Sequence, residues 1–143
     1  MPYDYKKLLS YRIIKTEVYI KRTLLQLITS LGYDITFEQW TVLAILNNHP
    51  GLIQSELADI SAKEKTNITR ILDVLQKNGY IERTRSLQDR RSIAIQLSSK
   101  GQQVVTALLP RIEKANEAFR DGIDEADFKV FLSVLDKIGK LEI

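Results

Sequence analysis

The sequence predicts a mainly α-helical protein with one small β-wing (an α+β chain), and three observations predict it. Apolar residues recur at three-, four- and seven-residue steps over long stretches near both ends, the period of a helix that buries one face. Ile93, Ile95 and Leu97 alternate with Ala94 and Gln96, the period of two of a half-buried strand. Asn78-Gly79 stands between the two patterns, and glycine there stops a helix because it takes the left-handed backbone at little cost.

In chain order, Leu9, Ile13, Ile20, Leu24, Leu27 and Leu31 give a long amphipathic helix from Tyr5 to about Leu31, stopped by Gly32. Thr16 and Glu17 fall where the stripe should continue, so part of that helix is expected to be shallow or to face a second apolar surface. Thr36-Phe37-Glu38-Gln39 is a capping box, with side chain and backbone exchanging hydrogen bonds at both ends, and it opens a second helix that ends near His49-Pro50-Gly51. Leu52 and Ile53 can add a third short strand to a later hairpin. Gln54 to about Ile60 is a short helix with Leu57, Ala58 and Ile60 inward. In the next helix Ile68, Ile71, Leu72 and Leu75 share one face, and Thr66, Thr69, Arg70, Asp73 and Lys77 share the other. Ile81–Arg85 and Ser92–Leu97 then form strands around a charged turn. Ser98-Ser99-Lys100-Gly101-Gln102 is a cap, and from there a helix runs to about Arg120, expected to kink at Pro110 because proline removes one backbone hydrogen bond. Asp124 is expected to cap a last helix carrying Phe128, Phe131, Leu132, Leu135 and Ile138.

Composition bounds the function classes. The 143 residues suggest one domain, and 44% apolar with 27% charged residues is ordinary for a soluble globular chain. No apolar run approaches the length that spans a bilayer, and the first residues lack the apolar core of a signal peptide, so the cytoplasm is the expected location. With 0 cysteines there is no disulfide, thiolate metal site or cysteine redox switch. A single histidine, His49, argues against a transition-metal sensor, and no cofactor is expected. No Gly-rich phosphate loop and no nucleophile–base set appears, which argues against an enzyme.

The net charge of +3 is unevenly spread. From Ser61 to Lys100, nine basic residues outnumber four acidic ones, a net of +5 against −2 for the remainder. The positive field therefore lies where a polar helix face adjoins a basic turn. That shape suits duplex DNA, with the helix in the major groove and the turn in the adjacent minor groove.

At these residues a family resemblance emerges. Gln54-Ser55-Glu56-Leu57-Ala58-Asp59, Lys65-Thr66-Asn67-Ile68-Thr69-Arg70 and Asn78-Gly79-Tyr80-Ile81-Glu82-Arg83 resemble the winged helix-turn-helix of the MarR family of bacterial regulators. Asp89-Arg90-Arg91 before Ile93–Ser98 is similar to that family's wing signature, an Asp-x-Arg followed by an aliphatic strand ending in Leu-Ser/Thr. The resemblance implies a winged helix-turn-helix lobe at about 36–98, framed by N- and C-terminal dimerisation helices at about 5–31 and 99–141. It also implies a homodimeric, sequence-specific regulator of transcription, expected to repress from an inverted-repeat operator.

Lys63, Lys65, Thr66, Asn67, Thr69 and Arg70 are the candidate contacts of the helix. Arg70 can give two parallel hydrogen bonds to guanine and Asn67 can pair with an adenine edge. Asp73 is expected to hold Arg70 one turn away. In the wing, Asp89 is expected to orient the hairpin while Arg90 or Arg91 enters a narrow minor groove, where the potential is most negative. Arg83 is either a phosphate contact or a strand-end salt bridge. Family members commonly release DNA on binding small aromatic acids, which implies an aromatic pocket with a cation; Tyr11, Arg12, Arg22, Trp40 and His49 are the candidates. Aromatics at helical spacing are more often core. The competing reading is a winged helix that uses its basic patch on an acidic protein partner, and a steep fall of duplex affinity with salt would discriminate against it.

Overall fold

In the computed structural model, residues 3–61 and 65–140 are described. Lys63, one of the candidate contacts, lies outside them. A 3-10 turn at Tyr5–Lys7 is followed by α1 (Leu9–Ser30), α2 (Phe37–Asn48), β1 (Leu52–Ile53), α3 (Gln54–Ser61) and α4 (Lys65–Lys77). Then come β2 (Ile81–Arg85), β3 (Ile93–Leu97), α5 (Ser99–Phe119) and α6 (Glu125–Gly139). The expected long first helix is thus interrupted at Leu8, whose extended backbone (ψ 135°) separates the 3-10 turn from α1.

Local signals account for most boundaries. The Thr36 hydroxyl accepts from the Gln39 N–H at 3.1 Å, and the Gln39 side chain accepts from the Thr36 N–H at 3.1 Å, so the expected capping box opens α2. After α4, Gly79 sits at φ +80° and the Tyr80 N–H reaches back to the Leu75 carbonyl at 2.9 Å, the six-to-one bond of a glycine-terminated helix. Ser98 accepts from the Gly101 N–H at 3.1 Å and donates to the Gly79 carbonyl, so one hydroxyl starts α5 and fastens it to the end of α4. Asp124 stands at the N-cap of α6 but makes no side-chain capping bond, contrary to expectation. α5 runs through Pro110 as one helix.

The three strands form an antiparallel sheet in the order β1-β3-β2, with Leu52 opposite Ile95 and Ile95 opposite Arg83. The expected third strand at Leu52–Ile53 is therefore present. The core gathers Leu24 and Ile28 of α1, Trp40, Val42, Leu43 and Leu46 of α2, and Leu57 of α3. Ile68, Leu72 and Leu75 of α4, Ile81, Ile95 and the buried face of α5 complete it. Ile60 is 48% exposed rather than inward: at about 100° per residue it lies roughly 110° from the mean direction of Leu57 and Ala58.

α5 approaches the base of the wing so closely that a β-carbon on Gly101 would stand 2.1 Å from the Tyr80 carbonyl oxygen. Lys21 links α1 to α2, its ammonium 2.9 Å from Glu17 and 3.6 Å from Glu38. Its proton is held more tightly than in an ordinary lysine, mainly by the hydrogen bond to Glu17, against the opposing effect of partial burial, with Glu38 adding to the attraction. The ends of the chain are different in kind. Leu9 and Ile14 are 58% exposed, and α6 buries none of its residues, Phe131 being 55% exposed.

Candidate nucleic-acid interface

The amphipathic pattern of α4 fixes which side chains face outward. Ile68, Leu72 and Leu75 are fully buried, which turns Thr66, Asn67, Thr69 and Arg70 to the exposed side. These are four of the expected contacts on one helix face. Lys65 is the first residue of the helix. α3 supports this helix through a side-chain bond the sequence does not signal: Gln54 Nε2 donates to Thr69 Oγ1 at 3.0 Å. The residues are 15 apart in two different helices, so no periodicity connects them.

Asp73 does not hold Arg70, as spacing along the helix suggests. It pairs with Arg83 of β2, and Arg83 Nε donates to Gln76 Oε1 at 2.7 Å. Once the wing folds back on α4, a cation on the neighbouring strand competes successfully for the aspartate. The ion pair, one of the two roles expected of Arg83, is formed. Arg83 joins the recognition-helix candidate to the first wing strand. Gln76 is a partner that sequence reasoning missed.

The wing turn is tied to itself. The Asp89 carboxylate accepts from the Arg91 N–H at 3.0 Å and from the Ser92 hydroxyl at 3.3 Å. The Ser86 hydroxyl accepts from the Gln88 and Asp89 N–H groups at 3.2 and 3.4 Å. Asp89 thus shapes the hairpin through backbone and hydroxyl groups. Arg90 and Arg91 are both exposed. A cleft of about 360 Å³ separates the helices from the wing, and Gln54, Thr69 and Arg91 line it. The Gln54 Oε1 atom there is buried without a hydrogen-bond partner.

The chain thus presents a paired-helix unit with an outward polar face, a three-stranded wing and a basic tip. A model of the MarR family matches residues 35–93, which include all of these parts from α2 to the start of β3. The chain carries a MarR-family domain.

Other similarities extend the match. The HTH-type transcriptional regulator YfiV of Bacillus subtilis is 36% identical over 75 residues, 52% of this chain and 47% of that protein. The chain therefore spans about half the length of that curated relative. Bordetella bronchiseptica BpsR, whose DNA binding is regulated by 6-hydroxynicotinic acid, superposes with a TM-score of 0.87 at 16% identity, covering 99% of this chain and 100% of that one. The transcriptional repressor CouR, bound to a 23-mer DNA duplex, superposes with a TM-score of 0.77 at 26% identity, covering 94% of each chain.

The five ligand candidates do not come together. Tyr11 and Arg12 line an open groove of about 510 Å³ with Lys6, Lys15, Thr16 and Tyr19. Lys15 stands 5.7 Å from the centre of the Tyr11 ring, and Tyr5 meets the same ring edge-on at 5.1 Å. Trp40 is 4% exposed and belongs to the core, where aromatics at helical spacing commonly go. His49 is exposed at the end of α2, and exposed Arg22 is not part of the groove lining. A second groove, of about 810 Å³, runs between α1, α5 and α6 with Tyr19, Ile20, Ile112, Phe128 and Phe131 among its walls. No helix among the described residues is long and apolar enough to cross a membrane.

Proposed function

We propose that the chain is one domain acting as a cytoplasmic, sequence-specific repressor of transcription that binds an inverted-repeat operator as a homodimer. The observation that carries this reading is the exposed row Thr66, Asn67, Thr69 and Arg70 on α4, with the arginine-bearing wing tied to the same helix by Arg83. α4 enters the major groove, where Arg70 and Asn67 meet base edges and the threonines meet phosphate or thymine methyls. Lys63 and Lys65 neutralise phosphates, and Arg90 or Arg91 reaches the minor groove. Arg83 acts by holding helix and wing together. CouR is named a repressor and is seen on a duplex, which supports the same role here. The exposed apolar faces of α1 and α6 support pairing with a second copy.

The regulating signal in this reading is a small aromatic acid. Its ring meets Tyr11 and Tyr19 and its carboxylate meets Arg12, Lys6 or Lys15, and regulation of BpsR by 6-hydroxynicotinic acid supports that ligand class. Release requires that the ligand favour the state that cannot bind DNA.

Selection of bound duplexes from a random pool tests the proposal. An inverted repeat should emerge, and affinity for it should fall steeply with salt, as several phosphate contacts per subunit require. Recovery of no sequence preference, together with a shallow salt slope, would favour an acidic protein partner instead. Titrating the selected complex with aromatic acids at millimolar concentration tests the ligand. Unchanged affinity would leave a repressor without that signal.

A further inference from the structure

The most exposed large apolar side chain among the described residues stands at the tip of the wing. Leu87 is 104% exposed, more open than the same residue in an extended peptide. Its position follows from the turn. Ser86 takes the N–H groups of Gln88 and Asp89, and Asp89 takes those of Arg91 and the Ser92 hydroxyl. The side chain between these two sets of bonds is left pointing away from the protein. Its exposed neighbours are Arg85, Arg90 and Arg91, and Asp89 is engaged within the turn.

Isolated exposed leucines are common on protein surfaces and need no explanation. This one heads a cationic loop tied to the recognition-helix candidate, so the surface it meets is set by its surroundings. The minor groove offers a matching shape, with apolar sugar walls between two rows of phosphate, and proteins that bind it frequently insert an apolar side chain, leucine among them.

We propose that Leu87 enters the minor groove beside a wing arginine and packs on the sugars and base edges, so that the wing senses groove shape by contact as well as by charge. The inference rests on the DNA-binding reading above. It has a chemical signature: guanine places an amino group on the minor-groove floor, whereas A·T pairs do not. Leu87 should therefore disfavour G·C pairs beneath the wing.

The test uses the full chain and the duplex selected from the random pool, with pairs beneath the wing, located by hydroxyl-radical protection, replaced by G·C or I·C. Inosine keeps the major-groove face of guanine and lacks the amino group, which isolates minor-groove sensing. The wild-type chain should bind the I·C duplex roughly fivefold more tightly than the G·C duplex, an effect of the amino group alone. Leu87→Ala should lower affinity for the I·C duplex roughly tenfold, as expected for lost apolar contact at two wings, and bring the two duplexes within twofold of each other. Its salt slope should be unchanged, because no charge is removed. Leu87→Met should restore most of the preference. Unchanged binding by Leu87→Ala, or weakened binding with the duplex preference intact, would overturn the inference while leaving the DNA-binding reading in place. Failure of the wild-type chain to bind any duplex would overturn that reading instead.

Discussion

At the scale of single residues, Arg70 and Asp89 make opposite demands on intuition. Arg70 is exposed midway along the outward face of α4, so Arg70→Ala should cost about 1–3 kcal/mol per half-site on the selected operator and far less on random DNA. Fluorescence-anisotropy titration of both duplexes measures the difference; equal losses would make Arg70 a phosphate contact. Asp89→Ala removes a negative charge near DNA and ought to strengthen binding if charge alone mattered. The carboxylate instead holds the Arg91 N–H and the Ser92 hydroxyl, so its loss should loosen the wing and weaken binding. Tighter binding by Asp89→Ala would show that the turn keeps its shape without it. Gly101→Ala tests packing rather than recognition. The added methyl meets the Tyr80 carbonyl, a backbone atom that cannot rotate aside, and overpacking of this kind costs about 1–3 kcal/mol. Thermal unfolding of Gly101→Ala should show the loss, and an unchanged midpoint would mean that α5 can shift at its first turn.

At the scale of elements, the proposed reading gives α4 and the wing different work. Replacing Arg90 or Arg91 with alanine should weaken selected and A·T-rich random DNA together and lower the salt slope by about one per subunit. A loss confined to the selected operator would instead assign base reading to the wing. The Lys21 bridge between α1 and α2 makes a second statement at this scale. Because its folded-state proton affinity lies above the ordinary value of 10.5, its contribution is fully present below that pH and is lost as pH rises through the higher folded value. Lys21→Met should flatten that alkaline part of the stability curve in thermal unfolding. Element by element, the sequence was most legible where a period or cap is local: the Thr36 box, the Gly79 stop, the alternation of Ile93 to Leu97 and the outward face of α4. It was least legible where partners are brought together by the fold. Arg83 with Asp73 and Gln76, and Gln54 with Thr69, join residues on different elements, and the same chain folding that assembles them removes Trp40 from any groove. Ile60 falls outside its expected place because the short pattern of α3 fixes a helix but not its rotation, and Leu8 because the stripe of α1 fixes a helix but not its first residue.

At the scale of the whole molecule, the apolar faces of α1 and α6 are the unfinished part. Val18, Phe131 and Leu132 are 47%, 55% and 45% exposed, a larger concentration than a monomer commonly leaves in water. Sedimentation equilibrium at micromolar concentration should find twice the 16.4 kDa chain mass, and Phe131→Asp should return it to the monomer. A wild-type monomer would remove the expectation of an inverted repeat. The contact of Gly101 with Tyr80 then acquires a mechanical meaning. α5 is 21 residues long, on the order of 30 Å, and its first turn bears directly on the backbone at the base of the wing. Such a rod works as a lever. A tilt of about 5° at its far end moves the near end by about 2.5 Å, close to the length of a hydrogen bond. At Gly101 the helix has no side chain of its own to set against the Tyr80 carbonyl, so such a movement would press backbone on backbone at the base of the wing.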